Sequence, residues 1–140
     1  MYRTVRAIVL DKNNQVVLLN HIGMQKFTFP GGKVDKGEYP DDAIIRELNE
    51  DIGLDITYSA LIKVTSFNHK ITTKESKEIE VEMNFYEIRV DNFNSLSNKE
   101  PASHKSLTYI PLSVLLNNKN SFMLDEAVKE FLTYRYHIWE

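Results

Sequence analysis

Cysteine is absent from the 140 residues. That excludes disulfides, thiolate nucleophiles and Cys-type zinc sites together. No apolar run is long enough to span a bilayer. The N-terminal stretch MYRTVRAIVLDKNN has too short an apolar segment, broken by Asp11, to be a secretory signal. A soluble cytoplasmic protein with no membrane partner is expected. Basic charge is not in excess either: the net charge is −3, so no global positive field draws nucleic acid. An acidic chain that handles a polyphosphate needs a metal to bridge the two anions. The four histidines, His21, His69, His104 and His137, form no i, i+4 pair, and no nucleophile-elbow motif is present. They read as surface or loop residues, His69 and His104 in loops that could border a ligand. Repeats and low-complexity segments are also lacking, and residues 1–140 read as one domain.

What is present is a glycine loop running into an acidic helix, GGKVDKGEYPDDAIIRELNEDIGL, Gly31 to Leu54. Pro40 suits the first helical turn, and Asp41 and Asp42 favour the positive end of the helix dipole. Gly53 follows the last periodic residue as a left-handed cap. The spacing predicts a helix over Pro40–Ile52, with Ile45, Leu48 and Ile52 as its apolar stripe and Ile44 at the margin. Glu47, Glu50 and Asp51 share another face, near the end of the helix that disfavours anions. Like charges crowded there break two local rules in one place, a pattern found at functional sites. A solvated acidic face is the commoner fate of such residues. The preceding loop shifts the weight to a hard divalent cation, because its glycines allow close backbone approach and Lys33 adds a point charge suited to phosphate. Arg46 is placed to fix Glu38 by a charge-assisted pair across the first turn.

Along the rest of the chain, Val5–Leu10 and Gln15–Asn20 read as a hairpin around Asp11–Asn14. Arg6 within the first strand is an edge residue, the commoner reading, or a phosphate contact. Lys26–Pro30 is a short extended run. Ile56–Phe67 reads as one long strand or two short ones, ended by Phe67–Lys70, with a polar loop from Thr72 to Lys77. Ile79, Val81, Met83 and Phe85 alternate with Glu78, Glu80, Glu82 and Asn84, and the apolar set then shifts to Tyr86, Ile88 and Val90. A shift of phase means a bulge or a strand buried on both faces. The three glutamates read as its solvent side rather than as extra metal ligands. Asp91–Lys105 is a long polar loop, Ser106–Ile110 a strand, Pro111–Leu116 a short helix that exits through Asn117–Asn120. Leu124, Val128, Phe131, Leu132 and Tyr136 recur at helical spacing. Phe27, Phe67, Phe85 and Tyr109 are candidates to stack on a base. Mixed strands with scattered helices imply an α+β or α/β/α arrangement.

Gly32, then Glu38, Arg46-Glu47-Leu48, Glu50-Asp51 and Gly53-Leu54 at their spacings resemble the box of the Nudix hydrolase family (MutT-like). Asp51 stands where that family has a second Glu. The resemblance implies an α/β fold, a Nudix-type α/β/α sandwich with a mixed sheet between helices. It implies a pyrophosphohydrolase that cleaves a phosphoanhydride in a nucleoside diphosphate linked to another group. Nucleoside triphosphates are the leading substrates, giving monophosphate and pyrophosphate; nucleotide sugars, dinucleoside polyphosphates and RNA 5′ ends are the alternatives. It assigns Glu47, Glu50, Asp51 and the Gly31 carbonyl to Mg²⁺, or Mn²⁺, with Glu47, Glu50 or Glu100 as base. Arg6 and Lys33 become phosphate contacts, and Arg46 and Glu38 hold loop to helix. Glu100 enters through Lys99-Glu100-Pro101, which resembles a late loop of several such enzymes. The shorter Asp51 reaches a metal through water or leaves it to Glu47 and Glu50. The expected partner is a small nucleotide, the expected state a monomer or homodimer. A catalytically inactive nucleotide-binding module is the first rival. An isoprenoid diphosphate isomerase, the second, wants a cysteine.

Overall fold

The computed structural model describes residues 2–21, 26–102, 104–118 and 124–136, with His21, His104 and Lys105 described by their backbone alone. His137 and the segment after Asn118 expected as the helix exit lie outside these residues. The order is β1 (Tyr2–Leu10), β2 (Gln15–His21), β3 (Phe27–Thr28), β4 (Gly31–Lys33), α1 (Pro40–Ile52), β5 (Ile62–Thr72), β6 (Glu78–Arg89), β7 (His104–Pro111), α2 (Leu112–Asn117) and α3 (Glu126–Tyr136). The strands form a mixed sheet in the order β3-β2-β1-β6-β5, with β4 also on β1 and β7 also on β2. Only the β1–β6 pairing is parallel among the described pairs.

Apolar side chains pack on both faces of this sheet. Val5, Ala7 and Val9 meet Ile44, Leu48 and Ile52 of α1, while Ile8, Leu10 and Phe85 meet Val128, Phe131 and Leu132 of α3. The α/β sandwich is therefore real, and β6 explains its shift of phase. It lies between β1 and β5, and Met83 to Ile88 are all buried, so both its faces are core. The irregularity of register falls instead on β5, between Lys63 and Thr65. Glu78 and Glu80 are exposed, the solvent side expected of them.

Several expectations need correction. The turn after β1 forms, held by Asp11 Oδ1 accepting from the Asn13 and Gln15 N–H groups at 2.9 Å each. Yet β1 and β2 pair only at Leu10↔Val16 and then splay. β2 runs along β7 instead, and β4 enters the gap to pair with β1. Arg6 is consequently no edge residue: it sits in a strand flanked by β4 and β6, opposite Gly31 and Phe85. The Ile56–Phe67 stretch holds a 3₁₀ turn at Tyr58–Ala60, and β5 runs on to Thr72 because β6 offers it a partner throughout. His69 thus lies on a strand, not in a loop. β7 begins earlier than expected, at His104. On α1 the bounds are as expected, but Ile44 is fully buried and Ile45 marginal. The helix is rolled so that Ala43, Ile44, Leu48, Asp51 and Ile52 face the sheet.

Candidate active site

Local rules place α1. Pro40 occupies its first turn, and Gly53, at φ 69°, caps it with its N–H donated to Asn49 O. The roll of the helix buries Asp51, which is 3% exposed. Asp51 Oδ2 accepts a hydrogen bond from the Gly31 N–H at 3.2 Å. Burial first, then the charges of Glu47 and Glu100, push the Asp51 carboxyl up to about 7, against the pull of the Gly31 N–H and of Arg6. Burial also raises Glu47, against Arg46.

The glycine loop is built around these acids. A Cβ on Gly31, whose φ is +152°, would lie 2.0 Å from the Val5 carbonyl oxygen. A Cβ on Gly32 would lie 2.6 Å from the Glu47 carboxylate. The first glycine lets β4 close on β1; the second leaves room for the carboxylate.

Arg46 is the hub of the helix side. Its Nε donates to Glu38 Oε2 at 2.9 Å and its Nη2 to Glu38 Oε1 at 2.9 Å, the fork expected between loop and helix. Glu38 is lowered by this contact, and Arg46 raised. The same guanidinium donates to Glu47 at 2.9 Å and to Glu50 at 3.1 Å. So the crowding of acids on α1 has a partner inside the chain, which the helix projection alone did not offer. The three acids also fan apart. Asp51 turns inward, Glu47 lies over Gly32, and Glu50 stands at the surface with its side chain 45% exposed. Among the described residues no three acidic or histidine side chains converge in ligating geometry.

Glu100 is brought to this end of α1 by the loop after β6. Two otherwise orphaned helix carbonyls are taken up there, Ile52 O by the Ser97 N–H at 3.2 Å and Asp51 O by the Lys99 N–H at 3.1 Å. Glu100 is half-buried and close enough to raise Asp51.

Arg6 projects from β1 into a cleft of about 760 Å³, with Tyr2, Thr4, His69, Met83, Asp125 and Glu126 among its lining. Its Nε is buried and has no hydrogen-bond partner among the described residues. The cleft lies between the sheet and the start of α3. His69 Nδ1 stands 3.5 Å from Glu130 of α3. Asp125 and Glu126 escaped notice in the sequence. Their only signal is an acidic entry to a helix, where Asp125 Oδ1 accepts from the Ala127 N–H at 2.8 Å.

The four aromatics do not gather at one place. Phe85 is fully buried, stacked between Phe67 and Phe131, so it cannot stack on a base. Phe67 is half-buried on that stack. Phe27 is half-buried and bridges to Leu124. Tyr109 is 40% exposed and stacks on Phe93, on the α1 side of the sheet. Lys33 is exposed, its Nζ 4.9 Å from the Tyr2 ring centroid.

The donors available for a cation are all hard oxygens, and two of them are carboxylates raised by burial. A hard divalent ion fits such a set better than a soft one. A mixed sheet between helices, with the buried Asp51 and the half-buried Glu47 lying on a glycine loop, defines an α/β sandwich that gathers its acids at one helix and one loop. The match to the NUDIX domain model runs over residues 2–131, and the chain belongs to that family.

Among its relatives are an 8-oxo-dGTP diphosphatase of Proteus vulgaris, 40% identical over 61 residues, 40% of this chain and 54% of that protein. An RNA pyrophosphohydrolase of Tolumonas auensis is 42% identical over 50 residues, 36% of this chain and 29% of that protein. The chain thus spans about half, or less, of the length of these curated relatives. The structure is similar to that of a MutT NUDIX hydrolase from Burkholderia pseudomallei, with TM-score 0.72, 18% identity and coverage of 94% and 95% of the two chains. It is also similar to the dihydroneopterin triphosphate pyrophosphohydrolase of E. coli, with TM-score 0.76, 10% identity and coverage of 95% and 93%. At such identities these likenesses establish the fold.

Proposed function

We propose that the chain hydrolyses a phosphoanhydride in a nucleoside diphosphate linked to another group, and that nucleoside triphosphates, ordinary or oxidised, are its principal substrates. The observation that carries this reading is the pair of raised carboxylates, buried Asp51 and half-buried Glu47, set on Gly31–Gly32 and felt by Arg6. Diphosphatase and pyrophosphohydrolase relatives support it. The RNA 5′ end is the second candidate, favoured by the second relative's name.

In this reading Glu47, Glu50, Asp51 and the Gly31 carbonyl would hold Mg²⁺ or Mn²⁺, with Glu50 released from its contact with Arg46. The ion, when bound, screens phosphate charge and lowers the pKa of a water. The base of the nucleotide enters the cleft between sheet and α3, and Arg6 meets the first phosphate. Water attacks an internal phosphorus. A new P–O bond forms as a P–O bond of the bridge between the α- and β-phosphates breaks, the bridging oxygen leaves with the phosphate group that is not attacked, and Glu47, Glu50 or Glu100 takes the proton of the attacking water. A panel of nucleotides with Mg²⁺, with products identified by chromatography, tests this. Monophosphate and pyrophosphate are expected. Diphosphate and orthophosphate would count against cleavage between the α- and β-phosphates. Full turnover in excess EDTA would sink the metal assignment, and no product from any nucleotide would favour the binding-module rival.

A further inference from the structure

A second cavity, of about 660 Å³, opens beside the glycine loop and the start of α1. Three cations line it: Arg3 of β1, Lys33 of β4 and Lys36 of the following turn. None of the three makes an ion pair with a carboxylate among the described residues. Arg3 Nη2 donates only to the Glu38 carbonyl, at 3.3 Å, and Lys33 lies over Tyr2. The two acids of the same lining are already answered. Glu38 is forked by Arg46, and Asp35 Oδ2 lies 3.5 Å from Arg46 Nη2. In a chain of net charge −3, three uncompensated cations around one hollow call for an anion.

The hollow also adjoins the acidic site. Lys33 follows Gly32, which abuts Glu47, and the Lys33 carbonyl accepts from Arg46 at 3.1 Å. Tyr2, under the Lys33 ammonium, lines the first cleft. The two hollows therefore meet where Lys33 lies over Tyr2.

We infer that this hollow is a subsite for the distal phosphates of a polyphosphate, the part that leaves as pyrophosphate. It rests on the hydrolase reading above and deepens it. The chain then favours substrates with two distal phosphates, nucleoside or RNA 5′-triphosphates, over nucleotide sugars, in which a neutral sugar replaces the second of them.

Inorganic pyrophosphate is the probe, titrated by calorimetry into chelator-treated protein so that no metal bridges it to the acids. The double variant Arg3→Ala/Lys36→Ala alters a half-buried arginine and an exposed lysine outside the acidic site. Wild-type protein should bind pyrophosphate more tightly than orthophosphate, and more weakly as salt rises. The double variant should lose affinity by on the order of tenfold, as expected for two charge-assisted contacts at the surface. Equal affinity in wild type and variant, or no binding to wild type, would overturn the subsite. The hydrolase reading fails separately: pyrophosphate binding with the variant's loss intact, but no hydrolysis of any nucleotide, removes the reaction and leaves the anion site. With hydrolysis present, the double variant should lower kcat/KM for a triphosphate more than for a nucleotide sugar. An equal fall for both would also overturn it.

Discussion

Two adjacent glycines should respond in opposite ways to the same methyl group. At Gly31 a Cβ meets backbone: the Val5 carbonyl oxygen at 2.0 Å and the Arg6 Cα at 2.9 Å. Backbone cannot swing aside without parting β4 from β1. Overpacking costs ~1–3 kcal/mol and the strained φ of +152° a similar amount, so Gly31→Ala should lose ~2–6 kcal/mol. At roughly 3 °C per kcal/mol for a chain of this size, Tm should fall by about 6–18 °C. At Gly32 a Cβ meets only the end of a flexible side chain, the Glu47 carboxylate at 2.6–2.7 Å. Glu47 can yield by rotating. What is lost is its 2.9 Å bond to Arg46, a contribution of about 0.5–1.5 kcal/mol, or a few degrees in Tm. If Glu47 serves the metal, its displacement should lower kcat by on the order of 10²-fold, since metal catalysis supplies several kcal/mol. Thermal denaturation without metal, and initial rates at saturating Mg²⁺, measure the two effects. A Gly32→Ala protein that melts as low as Gly31→Ala would show that Gly32 is demanded by the fold. One that turns over at the wild-type rate would remove Glu47 from the chemistry.

Other perturbations separate structure from chemistry in the same way. Glu50→Gln should change metal-free stability by less than about 1 kcal/mol, because its pair with Arg46 is half exposed, yet lower kcat on the order of 10²-fold; a marked loss of Tm without metal would make Glu50 structural. Asp51 is raised to about 7, so the folded state holds its proton more tightly than the unfolded chain. Its contribution to metal-free stability is full below the ordinary Asp pKa and is lost as pH rises toward 7. Asp51→Asn should flatten that slope in Tm against pH, and an unchanged slope would refute the assignment. Because metal competes with the proton, the rise in Tm on adding Mg²⁺ should be larger at pH 8 than at pH 6. Arg46→Lys keeps the charge but loses the fork to Glu38 and the reach to Glu47 and Glu50, and should cost about 1–3 kcal/mol by chemical denaturation.

What the sequence determined by itself is what local physics controls. Helix α1 begins at Pro40 and ends at Gly53 because φ, capping and the missing proline N–H are properties of neighbouring residues. The Glu38–Arg46 fork was readable because about two helical turns and a short loop carry both partners. The family was readable because its acids and glycines stand at fixed spacing. What only the tertiary structure decided depends on partners far apart in the chain. The turn chemistry of Asp11–Asn14 between two apolar runs suggested a hairpin, but pairing energy is nonlocal, and β6, β4 and β7 outcompeted it along most of its length. The roll of α1 followed from the sheet beneath it, which chose Ile44 over Ile45 and shut Asp51 away from water. Glu100 reached Asp51 because the end of a helix leaves carbonyls to be satisfied, and the loop at Ser97–Lys99 satisfies them. The cleft lined by Arg6, Asp125 and Glu126 exists only once β1 and the start of α3 are folded together, which no spacing along the chain records.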